Sequence, residues 1–266
     1  MKRACPASNW PLSWKTSYRF DCEEIYGEPR NLGYSYAYAN RRRHTIALLT
    51  DAVARGSSIL DIAAAQGNFS LAFAELGYRV TWNDLREELA DYTRLKYEVG
   101  DLTYAPGDAF GLSFPDLFDA VLITEIIEHV AHPDQFLAKV AQLVKPGGYV
   151  IMTTPNGEYI KNTLPKFSDC PDPSAFEAGQ FKPDADGHIF LLHRDELEPL
   201  AAQAGLRVEE VSLFTNPLTN GHMKMESLLR VLSKSTVEAV ERGARQLPAW
   251  LARRLLVQMG VRFRRL

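Results

Sequence analysis

The chain has few cysteines, the residues that are typical of secreted proteins with disulfides and of proteins with structural zinc sites. It contains only three cysteines, Cys5, Cys22 and Cys170, and no Cys-x-x-Cys pair. This odd number argues against a disulfide framework and against a structural zinc site, and it fits a reducing compartment. No window approaches the roughly 20 apolar residues that span a bilayer, and the first residues lack the apolar stretch of a signal peptide. We therefore expect a cytoplasmic protein.

The sequence also lacks the excess of positive charge that is typical of proteins binding polyanions. Its net charge is −3, so nucleic acid is not expected as a partner. The charge is uneven, because residues 241–266 contain seven arginines and one acid, which gives +6. Large apolar residues of the same stretch include Trp250, Leu251, Leu255, Met259 and Phe263. We expect this tail to contact an anionic membrane or glycan carrier, or else the protein core or a second subunit.

Strands and helices are expected to alternate through the middle of the chain. Apolar runs such as SSILDIA and FDAVLITE are typical of buried strands, and PDQFLAKVAQLV has helical spacing. This alternation predicts crossover units and a parallel sheet. Residues 155–190 are crowded with proline and glycine, which indicates a lid or substrate loop rather than a simple connection.

The alternation also suggests where the parts of the chain begin and end. Residues 1–55 are predicted to form an N-terminal arm, with an irregular aromatic stretch over 1–40 and a helix after it. Residues 56–215 form the α/β core that carries the lid. Residues 216–266 form a tail, which we expect to be helical. His222 in this tail is a weaker candidate for the acceptor site.

Four acidic residues end or follow four of the predicted strands, Asp61, Asp84, Asp108 and Glu125. In an open parallel sheet, ligands bind at the carboxyl ends of the strands. A row of carboxylates there repels phosphate and favours hydroxyls, amines and positive charge. Asp84 is suited to a ribose diol, Asp108 to an exocyclic amine and Asp61 to an ammonium group. These requirements point away from dinucleotides and toward S-adenosylmethionine, which has a sulfonium and no phosphate.

The turn after the first predicted strand is poor in glycine. It reads LDIAAAQGNFS, and Gly67 is its only glycine. With the segments that follow, this turn resembles the class I S-adenosylmethionine-dependent methyltransferases, in the branch that includes the ubiquinone-biosynthesis O-methyltransferases. The resemblance covers roughly residues 55–215. The acid-x-Gly-x-Gly-x-Gly motif of that family falls on Asp61, Ala63, Ala65 and Gly67, and FDAVLITEIIEHVAHPDQFLAKVAQLVKPGGYVIMTTPN resembles its fourth to sixth motifs.

The resemblance implies a doubly wound, mostly parallel, seven-stranded α/β sheet that binds S-adenosylmethionine. The residues that it assigns to the cofactor are Asp61, Ala63, Ala65, Gly67, Asn68, Phe69, Asp84, Leu85, Asp108, Ala109 and Glu125. Alanine disfavours positive φ, so we expect Ala63 and Ala65 to have negative φ. We also expect Asn68 to cap the helix that follows the turn.

A second group of candidate residues lies in TEIIEHVAH. If this segment is helical from Glu125, then Glu125, Glu128 and His129 share one face. Together with His188 after the lid, they resemble the Glu-x-x-Glu-His and later His that hold a divalent ion in small-RNA 2′-O-methyltransferases and some quinone O-methyltransferases. Such an ion would acidify the attacking one of two vicinal hydroxyls. The alternative is a structural Glu128, with His129 acting as a general base.

These observations favour methyl transfer from S-adenosylmethionine to an oxygen of a small molecule such as a sugar or phenol. The first alternative is a metal-dependent RNA 2′-O-methyltransferase, which the acidic body of the chain disfavours. The second is a non-catalytic cofactor-binding partner protein, which would bind S-adenosylhomocysteine without transferring a methyl group. A dehydrogenase is disfavoured because its pyrophosphate would need glycine at positions 63 and 65.

Overall fold

A seven-stranded sheet lies at the centre of the structure, a computed structural model that describes residues 1–180, 187–220 and 225–266. Its order is β3-β2-β1-β4-β5-β7-β6. The strands are β1 (Ser58–Ile62), β2 (Arg79–Trp82), β3 (Asp101–Tyr104), β4 (Phe118–Thr124), β5 (Val144–Pro155), β6 (Leu206–Phe214) and β7 (Gln258–Arg265). Strands β1 to β5 pair in parallel, and β7 runs antiparallel to both of its neighbours. The predicted seven-stranded, mostly parallel sheet is confirmed.

Helices cover both faces of this sheet. Those in the described residues are α1 (Leu12–Glu24), α2 (Leu32–Thr50), α3 (Asn68–Glu75), α4 (Glu88–Lys96), α5 (Pro133–Leu143), α6 (Arg194–Gln203), α7 (Glu226–Leu229), α8 (Lys234–Ala244) and α9 (Ala249–Leu255). Alternate residues of each buried strand point to opposite faces. Val121 of β4 therefore joins the apolar core under α5 and α6, whereas Leu122 joins the core under α2 and α3. This two-sided burial explains why the central strands are continuous apolar runs.

The first 40 residues are largely helical, so the prediction of an irregular stretch is wrong. Helix α2 begins at Leu32 and not near residue 41, because the Asn31 side chain accepts a hydrogen bond from the Tyr34 N–H at 3.0 Å. Helix α1 precedes it, with the rings of Trp10 and Trp14 packing edge-on against Tyr92 of α4. These aromatic contacts lie far apart in sequence and leave no local periodicity.

A buried ion pair connects α1 with α4. Lys96 Nζ lies 2.8 Å from Asp21 Oδ2, and both side chains are fully buried. Tyr92 Oη donates to the same carboxylate at 2.6 Å, and Lys96 also donates to Asn68 Oδ1 at 2.6 Å. Burial lowers the pKa of Lys96, and the charge of Asp21 opposes this shift. Because each charge has its partner and further hydrogen bonds, removing either partner would leave a buried ion uncompensated.

The end of the chain is a strand, which corrects the prediction of a helical tail. Helices α7, α8 and α9 fit that prediction, but residues 258–265 form β7 between β5 and β6. Met259 and Phe263 are fully buried, whereas Trp250 of α9 is 69% exposed. Alternation of buried apolar residues with arginines is a strand pattern, and the high arginine content hid it. A contact of the tail with a membrane or a second subunit stays a prediction.

The predicted lid is described only in part. A 3₁₀ turn, Pro173–Gly179, lies within it, while residues 181–186 and the candidate His222 lie outside the described residues. None of the helices in the described ranges combines the length and apolarity that a membrane crossing requires.

The position of β7 predicts a strong effect of Phe263 on stability. Phe263→Ala should lower the free energy of unfolding by about 3–5 kcal/mol, because it removes a fully buried ring between two strands. Urea denaturation measures this change. Leu266→Ala is the matched control, since Leu266 is 72% exposed, and it should change stability by less than about 0.5 kcal/mol. Equal effects of the two substitutions would contradict the buried strand.

Candidate functional site

The turn between β1 and α3 contains alanines in the left-handed region of backbone space. The φ angles of Ala63 and Ala65 are +52° and +48°, so the expectation of negative φ is wrong. The backbone keeps the shape that glycines would allow, at a cost of roughly 1–2 kcal/mol for each alanine. Gly67 has a φ of +74°, and a Cβ there would lie 2.5 Å from Thr93 Cγ2. Glycine is therefore required at position 67 both for its conformation and for space.

The end of β2 holds this turn in place. The Asp84 carboxylate accepts a hydrogen bond from the Ala65 N–H at 2.8 Å, and the Trp82 indole N–H donates to the Ala65 carbonyl at 3.1 Å. The Ala64 N–H donates to the carbonyl of Asn83 at 2.8 Å. Each bond fixes a backbone group beside a left-handed residue, so packing with β2 offsets the local strain.

Asp84 therefore has a structural role in addition to the predicted ribose contact. Besides the Ala65 N–H, its carboxylate accepts from the Arg86 backbone N–H at 2.9 Å, from Arg86 Nε at 2.9 Å and from Arg86 Nη2 at 3.0 Å. Four donors use the acceptor capacity of one carboxylate. The Arg86 side chain is 45% exposed, so its guanidinium has room to move, and it must do so before Asp84 accepts from a diol. The sequence did not reveal this role of Arg86.

Asp61 is a buried carboxylate with an oxygen left over. Its Oδ2 accepts from Ser70 Oγ at 2.5 Å, while its Oδ1 has no hydrogen-bond partner among the described residues. Burial raises the pKa of Asp61 to about 7, against the hydrogen bond from Ser70 and with a contribution from the charge of Asp84. A positively charged donor at Oδ1 would offset the cost of burying the ionised carboxylate, which fits the predicted ammonium contact.

A first cavity of about 400 Å³ lies at the carboxyl ends of the strands. Its lining includes four predicted cofactor residues, Ala63, Leu85, Asp108 and Ala109. Sequence reasoning missed Asn83, Phe110 and Ile126, which also line it. The lid closes one side, where Glu177 contacts His132 at 2.7 Å and Gln180 Oε1 accepts from the Ala131 N–H at 3.0 Å. The described part of the lid thus reaches this cavity, which has apolar walls and a carboxylate at its rim.

Two predicted cofactor residues after the turn face the N-terminal arm. The Asn68 amide donates to Asp21 at 2.9 Å and to Glu24 at 2.8 Å, and its oxygen accepts from Lys96. Gly67 is the N-cap of α3, and no side chain caps this helix, so the predicted capping by Asn68 is wrong. The neighbouring ring of Phe69 packs 6.2 Å from that of Tyr38. Both side chains connect the turn with α1 and α2.

Glu125 does not begin a helix. Its φ is +55°, and only Ile127–His129 form a 3₁₀ turn, so the predicted shared helical face of Glu125, Glu128 and His129 is wrong. The Glu125 carboxylate instead lies 2.8 Å from Nη1 of Arg41 on α2. Glu125 Oε1 and Arg41 Nε have no partner among the described side chains. The pair is incomplete by itself and suited to bind a further polar group.

Three of the four predicted metal ligands lie together. Ligand atoms of Glu128, His129 and His188 all lie within 4.8 Å of one another, and Glu125 is not in this group. Burial and the nearby Glu125 raise the pKa of Glu128 well above its usual range. Its Oε2 accepts from Thr154 Oγ1 at 3.1 Å, while its Oε1 is buried without a partner in the described structure. A carboxylate and two imidazoles are donors that suit a borderline divalent ion.

A second cavity of about 640 Å³ adjoins the first. Glu125 lines the second cavity and the next residue, Ile126, lines the first. The second cavity also receives Arg41 and Tyr38 from α2, His188 from beyond the lid and Gln258 from β7. The segment directly after β4 thus contributes to both cavities. Such an arrangement can bring two ligands close together.

The left-handed alanines predict that glycine stabilises the turn. Ala63→Gly and Ala65→Gly should each raise the free energy of unfolding by about 0.5–1 kcal/mol, because relief of the strained φ exceeds the entropy that glycine adds to the unfolded chain. Chemical denaturation measures the change. Ala64→Gly is the control, since Ala64 has no positive φ, and it should be destabilising. Destabilisation by all three substitutions would contradict the strain.

The burial of Asp61 predicts a pH-dependent effect of Asp61→Asn. The pKa of Asp61 is about 7 in the folded chain, against an ordinary value of 3.8. Between these values the folded chain binds the extra proton, so stability falls as pH rises. Without cofactor, the variant should gain about 2–4 kcal/mol at pH 8 and almost nothing near pH 4.

Urea titrations of the unliganded protein at both pH values measure this difference. Asp116→Asn, at an exposed position, is the control and should follow the unsubstituted chain at both pH values. If the Asp61→Asn variant and the unsubstituted protein have parallel pH profiles, Asp61 is not a destabilising buried charge.

Known proteins are similar to this chain both in sequence and in fold. A family described as a methyltransferase domain matches residues 36–211. A ubiquinone biosynthesis O-methyltransferase of Thiobacillus denitrificans is 32% identical over 187 residues, which cover 64% of this chain and 73% of that protein.

Two solved structures show the same fold. An S-adenosylmethionine-dependent methyltransferase of Mesorhizobium loti has a TM-score of 0.55 at 19% identity and covers 84% of this chain and 96% of its own. The N-methyltransferase NodS of Bradyrhizobium japonicum, solved with S-adenosyl-L-homocysteine, has a TM-score of 0.52 at 13% identity, with 96% and 99% covered. The family match over most of the chain, the curated relative and the shared fold agree, and the chain belongs to the S-adenosylmethionine-dependent methyltransferases.

Proposed function

We propose that the protein transfers the methyl group of S-adenosylmethionine to an oxygen of a small molecule that has two adjacent hydroxyls. The observation that carries this proposal is that two consecutive residues, Glu125 and Ile126, line two different cavities, while His188 of the cluster with Glu128 and His129 also lines the second. We infer that the two cavities join there. A methyl donor in the first cavity would present its sulfonium at this junction. An acceptor in the second cavity would approach it from the other side.

Polar residues at this edge of the sheet suit the groups of the cofactor, and of these Asp108 lines the first cavity. Asp108 is placed to accept from an adenine amine, since its exposed carboxylate lies at the rim beside Ala109. The free oxygen of Asp61 is available to an ammonium group. Asp84 would accept from the ribose diol after Arg86 moves aside. Arg41 lines the second cavity beside Glu125 and would bind the methionine carboxylate.

The reaction is an in-line displacement. The acceptor oxygen attacks the methyl carbon, the carbon–sulfur bond breaks, and its electron pair stays on sulfur to give S-adenosylhomocysteine. The acceptor proton passes to a base. Holding the three atoms in line supplies most of the acceleration, because it converts a bimolecular encounter into a step within one complex.

His129 is the candidate base. Its Nδ1 lies 3.3 Å from the Gly187 carbonyl, which leaves Nε2 to take a proton. Glu128, His129 and His188 also fit a divalent ion, since Oε1 of Glu128 is buried without a partner and the three donors lie within 4.8 Å. Such an ion would lower the pKa of a bound hydroxyl. Thr154 donates to the other oxygen of Glu128 and orients its carboxylate.

Removal of the candidate base or ligands tests this function. The assay measures methyl label passing from S-adenosylmethionine to pooled small metabolites, with and without a chelator. Glu128→Gln and His129→Ala should each slow transfer by about 10²–10⁴-fold, while binding of S-adenosylhomocysteine persists. The control is Glu198→Gln at an exposed position of α6, which should transfer at the unchanged rate.

The place where the label appears decides between the functions. Label in RNA would favour the RNA 2′-O-methyltransferase. No label, with S-adenosylhomocysteine still bound, would favour a non-catalytic partner protein. If the chelator has no effect on transfer, the role of a divalent ion is excluded and His129 remains the candidate base.

A further inference from the structure

The second cavity is unusual in the chemistry of its walls. Ligand pockets are mostly lined by apolar side chains with a few polar groups. Here, fourteen of the nineteen lining residues have polar or charged side chains, and the other five are Ala37, Pro155, Leu164, Leu191 and Val257. These five come from several segments of the chain.

Some of the polar groups have structural partners and are not available to a ligand. The Asn156 amide donates to the backbone carbonyls of Arg253 and Leu256, at 2.8 and 2.6 Å. The Asn162 amide donates to the Gly157 carbonyl at 2.7 Å and its oxygen accepts from the Leu164 N–H. These two residues shape the wall and do not select the acceptor.

Other polar groups have hydrogen-bonding capacity that the chain does not use. Tyr38 is 3% exposed, and its hydroxyl has no hydrogen-bond partner in the described structure. Gln258 is 8% exposed, and its Oε1 accepts from Thr215 Oγ1 at 2.7 Å, which leaves its amide N–H groups for a ligand. Asn31 is exposed, uses its oxygen to cap α2 and likewise keeps its amide N–H groups. The cavity therefore offers hydrogen-bond donors from two elements, α2 with its N-cap and β7.

The cost of desolvation decides between two classes of acceptor. A phenol with a hydrocarbon tail would cover these donors without satisfying them, and each unpaired donor would weaken its binding. The hydroxyls of a sugar both donate and accept, so they match amides and tyrosine hydroxyls. A site built to bind a hydroxyl by hydrogen bonds also rejects analogues that lack it far more strongly than an apolar site rejects an added hydroxyl.

We propose that the acceptor is a carbohydrate with vicinal hydroxyls, which Tyr38, Gln258 and Asn31 select against prenylated or alkylated phenols. This inference rests on the proposed methyl transfer and names its substrate class. Gln258 lies at the start of β7 and Thr215 directly after β6. The strand at the end of the chain thus supplies a specificity residue as well as a core.

The test compares two sets of acceptors with the full-length protein and labelled S-adenosylmethionine. One set contains nucleotide sugars, methyl glycosides and the hydrolysed polysaccharide of a bacterial cell. The other contains catechol and catechols with prenyl or alkyl tails. The sugars should be preferred by at least tenfold in kcat/KM. Methylation of the tailed catechols in preference to sugars would overturn the inference and keep the proposed function.

Calorimetry of S-adenosylhomocysteine binding interprets the outcome in which neither set of acceptors is methylated. If the protein binds it and labels neither set, then both the proposed function and the inference are overturned. A positive sugar result is then checked with Gln258→Leu and Tyr38→Phe. Each should raise the KM for the sugar about tenfold or more, because one hydrogen bond is lost.

Two controls show that these variants act on the sugar. Gln203→Leu changes an exposed glutamine at the end of α6 and should leave the KM unchanged. Unchanged binding of S-adenosylhomocysteine by Gln258→Leu and Tyr38→Phe shows that they remain folded. A KM for the sugar that stays constant in both variants would overturn the role of these residues.

Discussion

The structure of the site depends on hydrogen bonds between the end of β2 and the turn after β1. Two alanines in this turn have left-handed backbone angles, which alanine adopts only when its surroundings hold it there. Two hydrogen bonds stabilise the backbone of Ala65 in this conformation. The Asp84 carboxylate accepts from its N–H, and the Trp82 indole donates to its carbonyl. Asp84 thereby connects the conformation of the turn with the place where a ribose would bind. A change in the conformation of the turn would therefore alter ribose binding, and ribose binding would alter the turn.

The same edge of the sheet concentrates buried carboxyl groups whose hydrogen bonds are incomplete within the described residues. Asp61 and Glu128 each bury a carboxylate oxygen without a partner among the described residues, and burial raises the pKa of both groups. Such groups destabilise an unliganded protein and are expected where a ligand completes the arrangement. A cationic methyl donor near Asp61 and a divalent ion at Glu128 would each remove part of this cost. Stability and ligand binding are therefore coupled at this edge.

The N-terminal arm is connected to the site through both of its helices. Asp21 on α1 pairs with Lys96, and both contact Asn68 at the first turn of α3. Arg41 on α2 pairs with Glu125 at the end of β4. Ligands in the two cavities would thus touch residues whose partners belong to this arm, which makes the arm part of the binding machinery. The residues that we propose to select the acceptor come from the arm and from β7.

The sequence alone determined the parallel core and the line of acids along its edge. Asp61, Asp84, Asp108 and Glu125 could be placed because strand and helix periods are local, and parallel strands bring their carboxyl ends to one edge. Conformations set by distant partners could not be read in this way. The left-handed alanines depend on β2, the side chain of Asn68 on Asp21, and β7 on β5 and β6. Only the tertiary structure decided these features, because their stabilising contacts join residues that the local pattern does not relate.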